Sequence, residues 1–227
     1  MRFLIFFFLL SFFSCIQNNS QDNIIESNSL QINQIDNKIT IPDTFFYSTE
    51  EINLEDIQVH YCNKSAQEDI VLVSLQLSYI DLEGNHTIGT LIVNKEVSDE
   101  VIDIFSDIYD CGFKINKMIP IYYYNCIDDS SMTDNNTSSF NYRTISGSRK
   151  LSDHSYGKAI DINPLFNPHV KNNKIMPNKA KKYTERDSSV AGLITSNDCV
   201  VKAFKDRGWY WGGDWKYSKD YQHFYKY

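Results

Sequence analysis

The stretch Ile70–Val93, IVLVSLQLSYIDLEGNHTIGTLIV, holds two β-rich runs, Ile70–Ile80 and Thr87–Val93, on either side of the turn-forming Asp81–Asn85 with Gly84 inside it. That pattern predicts a β-hairpin. Directly after it, Asn94–Phe113 repeats Val97, Val101, Phe105 and Ile108 at helical spacing. Ser98 is placed to cap, Asp99 and Glu100 suit the first turn, and Gly112 suits the stop. A hairpin followed by one amphipathic helix predicts a mixed α+β class.

Further along, Met118–Cys126 (MIPIYYYNC) is a strand candidate, and Asp128–Ser139 reads as a polar loop leading to Phe140-Asn141-Tyr142-Arg143. In Lys158–Asn163 (KAIDIN) the alternation puts Ala159, Asp161 and Asn163 on one face and Ile160 and Ile162 on the other. Ser196–Gly208 reads as a second helix with Cys199, Val200, Ala203 and Phe204 inward. Tyr221–Tyr227 is aromatic and strand-like. No internal repeat is present.

The chain of 227 residues is long enough for one good core. Its start does not read as part of that core. Arg2 precedes an apolar run, Phe3–Phe13, with the shape of an export signal and too short for a conventional membrane-spanning helix. The run stops at Ser14-Cys15. A small residue before such a cysteine resembles a bacterial lipoprotein cleavage site, although Phe12 and Phe13 depart from the usual residues there. Two processing routes stay open: cleavage before Cys15 with lipidation of that cysteine, or an ordinary cleaved signal. Both take the protein out of the cytoplasm to the cell envelope, and the first adds a lipid anchor to the membrane. Residues 15–40 are rich in Asn, Gln, Ser and Asp and read as a flexible tether, leaving 41–227 as the folded domain.

Loss of residues 1–14 removes Arg2 and no acid, taking the formal charge from −7 to −8. An acidic chain without a Lys/Arg block is not built to bind nucleic acid, and the domain is expected to act as a monomer. Four cysteines remain, Cys62, Cys111, Cys126 and Cys199. They allow two disulfides in three pairings that the sequence does not choose among, and no C-x-x-C unit suggests a thiolate metal site. Asn-x-Ser/Thr strings at Asn63, Asn85, Asn135 and Asn136 are expected by chance in so Asn-rich a chain.

Two strings carry the chemistry. Leu151–Pro164, LSDHSYGKAIDINP, and Gly212–Phe224, GGDWKYSKDYQHF, together supply the imidazoles of His154 and His223 and, among their four carboxylates, those of Asp161 and Asp220. Two histidines and one carboxylate are a usual protein set for a catalytic Zn²⁺, and a further carboxylate nearby can take a proton from water.

The signature S-x-H-x-x-G-x-A-x-D (Ser152, His154, Gly157, Ala159, Asp161), followed far downstream by D-x-x-H-F (Asp220, His223, Phe224), resembles the M15 family of zinc peptidases. That family includes D-alanyl-D-alanine carboxypeptidases, dipeptidases and L-alanyl-D-glutamate endopeptidases of bacterial cell walls. The resemblance extends upstream through Met132–Arg143 and Leu77–Phe105, so it covers about residues 45 to 227. It implies a small antiparallel-sheet zinc peptidase domain with flanking helices, one catalytic Zn²⁺, and peptidoglycan peptides as substrate.

On that resemblance His154, Asp161 and His223 are the metal ligands and Asp220 is the general base, with orientation of a histidine as its alternative role. A spacing of three puts Asp220 and His223 on opposite faces of a regular strand, so Asp220 is expected in a bend just before it. Arg143, in the x-Y-R string, is the candidate for contacting the peptide near its scissile carbonyl or carboxylate, a task its planar fork suits. Ser148 and Ser152 are candidates for lining the same cleft. Asp214 in WGGDW competes with Asp220 for the base or a histidine-orienting role, and His169 is an alternative ligand outside the motif. The aspartate of D-x-x-H, where the dipeptidases and carboxypeptidases typically show glutamate, points to the L-alanyl-D-glutamate endopeptidase branch. A D,D- or L,D-carboxypeptidase is the alternative enzyme, and a non-catalytic zinc-stabilised wall-binding module the alternative of another class.

Overall fold

Alternating apolar residues around a polar turn form the first structural unit. The computed structural model describes residues 44–52 and 70–227, all within one compact unit, Thr40–Tyr227. Strands β1 (Tyr47–Ile52), β2 (Leu72–Ile80) and β3 (His86–Asn94) make an antiparallel sheet in the order β1-β2-β3. The expected hairpin is β2–β3, paired from Leu72↔Asn94 to Ile80↔His86. Its turn is closed by the Asp81 carboxylate, which accepts from the Asn85 amide N–H at 2.7 Å and from its side chain at 2.9 Å. Gly84 supplies the left-handed backbone there, at φ 94°.

Helix α1 (Ser98–Asp110) packs on this sheet through Val101, Ile104, Phe105 and Ile108, all essentially inaccessible to solvent. It is shorter than its sequence pattern suggests, and Ser98 is its first residue, not its cap. Asn94 Oδ1 instead accepts from the Glu96 N–H and opens a 3₁₀ turn, Lys95–Val97, while Ser98 Oγ donates back to the Lys95 carbonyl. Gly112, at φ 75°, ends the helix as expected.

Two expectations about the middle of the chain do not hold. Met118–Cys126 is not a strand: only Lys117–Met118 (β4) is extended, and Ile121–Tyr124 forms a 3₁₀ turn after Pro120. Proline cannot donate to a ladder, and Asn125 and Cys126 both take left-handed backbone, at φ 52° and 55°, which ends the segment. Nor is Asp128–Ser139 wholly loop. Helix α2 (Asp128–Thr133) buries Ser131 and Met132, and β5 (Asn136–Thr137) pairs in parallel with β4. The Asn136 side chain acts as an extra peptide group, its Oδ1 accepting from Ile119 N–H at 3.0 Å and its Nδ2 donating to Ile119 O at 2.9 Å.

The remaining elements are β6 (Ala159–Asp161), β7 (His169–Lys171), β8 (Lys174–Met176), α3 (Cys199–Lys205), β9 (Tyr210–Trp211), β10 (Lys219–Asp220) and β11 (His223–Tyr225). They build two small antiparallel sheets, β6-β11-β9 and β10-β7-β8. Period-two alternation gives the first of these two faces. Ile160, Phe224 and Trp211 point into the main core, where Phe224 stacks on Phe204 of α3 with ring centroids 4.1 Å apart. Mixed helix and small antiparallel sheets are compatible with the α+β class.

Cys111 at the end of α1 is bonded to Cys199 at the start of α3, 88 residues later, and Cys126 is also disulfide-bonded. Cys62 and Cys15 lie outside the described residues. Because the Cys111–Cys199 bridge closes a long loop in the unfolded chain, Cys199→Ser is expected to lower stability by about 2–4 kcal/mol. A shifted denaturation midpoint in guanidinium, against the unreduced parent, measures it.

Candidate metal centre

Strand pairing, not sequence proximity, assembles the centre. β11 runs antiparallel to β6 with His223 opposite Asp161, so two residues 62 apart share one face of the sheet. His154 arrives from a 3₁₀ turn, Asp153–Tyr156, that ends at Gly157 with φ 64°. A Cβ at Gly157 would stand 2.6 Å from the Asn94 amide nitrogen, whose N–H donates to the Gly157 carbonyl; only glycine lets this turn lie so close to β3.

His154, Asp161 and His223 are all buried, and their ligand atoms lie within 4.8 Å of one another. Nδ1 of His154 faces the Ser139 carbonyl at 2.7 Å. Donation to that carbonyl fixes the tautomer and turns the bare Nε2 lone pair inward. That Nε2 is 3.2 Å from Asp161 Oδ2 and 3.2 Å from His223 Nδ1, and His223 Nδ1 is 2.9 Å from Asp161 Oδ1.

Three electron-pair donors thus converge in a buried place, and the donor set is that of a divalent cation. The electrostatics agree. Burial opposes the charge on Asp161, yet His154 and His223 hold its carboxyl well below the usual carboxylate range. Burial pulls the His223 imidazole down, and the carboxylates of Asp153 and Asp161 more than reverse this, pushing it up to about 10. The carboxylates around His223 thus favour positive charge here, which a bound cation would also supply.

Asp220 does not occupy a bend: it closes the two-residue strand β10, and Tyr221 and Gln222 make the bend. Its backbone rests on Gly212, where a Cβ would come within 2.6 Å of the Asp220 carbonyl oxygen. Oδ1 of Asp220 is buried with no hydrogen-bond partner among the described residues, while Oδ2 lies 3.6 Å from Nδ1 of His169, its register partner on β7. His169 is therefore a neighbour of Asp220 and not a member of the three-residue donor group. Burial raises the Asp220 carboxyl, the Asp161 charge adds to this, and His223 works against it.

Asp214 takes no part. Its carboxylate is exposed and paired with Lys205 at 2.6 Å, and of the two glycines before it Gly212 lies against Asp220 and Gly213 against the Trp211 ring. Arg143 is zipped to the His154 turn: its N–H donates to Ser155 Oγ at 2.9 Å, and its carbonyl accepts from Ser152 N–H at 3.0 Å. Its guanidinium pairs with Asp128 of α2 at 3.1 Å, and its buried Nε has no partner among the described residues. Ser152 is buried beside this turn. Ser148 is exposed, its hydroxyl accepting from the Lys150 N–H. Asn163 does not share the Asp161 face; β6 has ended, and the Asn163 amide ties Asn116, Lys114 and Gly192 together.

Sequence reading missed Ser139, which acts through its carbonyl and so leaves no side-chain signal. It also missed Asp153, whose carboxylate lies 3.9 Å from His223 Nε2 and is held below the usual range chiefly by that histidine.

Residues 146–226 match the M15 peptidase family model, described as D-alanyl-D-alanine carboxypeptidase. Over this segment the chain is similar to the M15 peptidases, which supports a peptidase of that family. His154, Asp161, Asp220 and His223 fall inside the match and Arg143 just before it. M15 peptidases are metal-dependent, and the buried His154, Asp161 and His223 are the residues that could hold the ion. No curated protein and no solved structure matches the chain.

Proposed function

We propose that this protein is an M15-type zinc enzyme of the cell envelope that cuts the stem peptides of bacterial peptidoglycan between L-alanine and D-glutamate. The observation that carries the reading is the buried His154, Asp161 and His223 group, with Asp220 on β10 holding a carboxylate oxygen that has no hydrogen-bond partner among the described residues. When bound, Zn²⁺ supplies Lewis-acid polarisation of a carbonyl and acidification of water. The chain's own residues do the rest. Asp220 accepts the proton of the attacking water at its free oxygen and returns it to the leaving amine, and Arg143 steadies the peptide from the segment tied to the His154 turn. The Phe3–Phe13 run and Cys15 support export with a lipid anchor at Cys15; both lie outside the described residues.

Cutting within the stem is favoured over removal of a terminal residue by the state of Arg143. Its charge is already paired with Asp128, so a free substrate carboxylate would have to compete for it. The family description, D-alanyl-D-alanine carboxypeptidase, supports the second reading, removal of terminal D-alanine. Incubation with defined muropeptides, with and without terminal D-alanine, and identification of products by mass separates them: free D-alanine as sole product sinks the endopeptidase reading.

On either reading Arg143→Ala is expected to weaken kcat/KM by about 1–3 kcal/mol of lost charged hydrogen bonding. Arg143→Lys should restore only part, because an ammonium lacks the fork. Steady-state kinetics on one muropeptide checks both.

A further inference from the structure

The face of the β6-β11-β9 sheet that carries the metal residues continues beyond them as a row of aromatic rings. Along β11, His223 is followed on the same face by Tyr225. Pairing then carries the row sideways, because Tyr225 stands opposite Ala159 on β6 and Tyr210 on β9. The Tyr225 ring stacks on His223, with centroids 5.3 Å apart and planes 22° from parallel. Tyr210 stacks on Tyr225 at 5.4 Å, and Tyr227 meets Tyr225 and Tyr210 at 5.5 and 5.4 Å. Trp215 supports the row from the side, its indole N–H donating to the Tyr225 hydroxyl at 3.2 Å.

The inner ring is covered and the outer ones are not. Tyr225 is only 9% exposed, but Tyr210 is 53% and Tyr227 82% exposed. Adjoining exposed aromatic rings cost solvation and indicate a surface kept for contact. The outer rings, Tyr210 and Tyr227, leave aromatic surface and hydroxyls open to solvent, which match the C–H face and surrounding polar groups of a pyranose.

We propose that the Tyr225–Tyr210–Tyr227 row is a subsite for the glycan strand to which the stem peptide is attached. The inference rests on the L-alanyl-D-glutamate reading, because there the scissile carbonyl belongs to the residue joined directly to the lactyl group of the sugar. One residue plus that linker spans about 7–9 Å. Two residues along a strand advance about 6.8 Å to Tyr225, so the linker of a peptide held at His223 reaches Tyr225 and the sugar beyond the linker reaches Tyr210 and Tyr227, whose centroids lie 5.4 and 5.5 Å further on. A bond several residues down the stem would place the sugar too far away for this contact.

The test compares one stem peptide carrying N-acetylmuramic acid on its L-alanine with the same peptide lacking the sugar. The native metal-loaded protein is expected to prefer the sugar-bearing substrate about tenfold in kcat/KM, mainly through KM. Tyr210→Ala should bring that ratio to about one, and Tyr210→Phe should keep it. Tyr227→Ala, at a side chain almost wholly in solvent, should lower the ratio even if Tyr210→Ala folds poorly. Cleavage of both peptides at equal efficiency, or a ratio unmoved by both alanine variants, overturns the subsite and leaves the endopeptidase reading standing. Failure to cut either peptide after L-alanine overturns that reading, and the subsite with it.

Discussion

His154→Ala is expected to remove metal and hydrolysis together, with activity falling about 10³-fold or more. Three protein donors leave little redundancy, and the loss of one leaves Asp161 and His223 as a two-point site. The ion's contribution to stabilising charge in the transition state is several kcal/mol, and each 1.36 kcal/mol is a factor of ten. The fold should survive the change. His154 sits in a short turn outside the main apolar core, which is built from the β2–β3 hairpin, α1, α3 and the inner face of β6-β11-β9. Metal analysis after dialysis, beside a thermal melt of the same sample, reads both consequences. A variant that stays folded, carries no metal and keeps full activity would overturn the assignment of the centre.

Much of this centre was legible because its residues sit in two compact strings. A histidine seven residues before an aspartate says little by itself, but a glycine-closed turn feeding a strand brings both inward. The strand alternation of Ala159, Ile160 and Asp161 predicted which side faces the site. What joins the two strings is the β6–β11 ladder, a long-range pairing that local pattern does not encode; the family resemblance supplied the ligand set but not this pairing. The same limit hid the aromatic row, since Tyr210 and Tyr225 become neighbours only when β9 pairs with β11.

Polar residues misled in a systematic way. Asn135 and Asn136 fall in the stretch that reads as polar loop, and Asn163 reads on a strand face, yet these three and Asn167 are buried and their side-chain amides bond backbone groups that no strand reaches. A buried amide that replaces a missing ladder partner is indistinguishable in sequence from a solvated one. Tyr122, Tyr123 and Tyr124 misled in the opposite direction. Their β propensity lost to Pro120 and to the left-handed Asn125 and Cys126, and a turn resulted. Asp214 was a plausible rival to Asp220 by position alone, and only the Lys205 pairing and the location of Gly212 separate the two.

Asp220→Asn is expected to lower the rate by about 10²–10⁴-fold while the metal stays bound. The amide keeps the size of the carboxylate and its place against Gly212, but gives up the basic lone pair. Retained metal is the informative half of the result, because loss of a residue that merely oriented a ligand histidine would cost about 10–100-fold in metal affinity instead. The pH profile adds an independent reading. Burial raises the Asp220 carboxyl above its ordinary value, helped by Asp161 and opposed by His223. The base works only when ionised, so the activity of the native enzyme should fall as pH drops through that raised value, above the ordinary carboxylate range near ~4. The residual activity of Asp220→Asn should lack this acid limb. Asp214→Asn, at an exposed carboxylate held by Lys205, should keep both the rate and the limb. If Asp214→Asn abolished activity while Asp220→Asn retained it, the two aspartates would exchange roles, and the free oxygen of Asp220 would no longer mark the point of proton transfer.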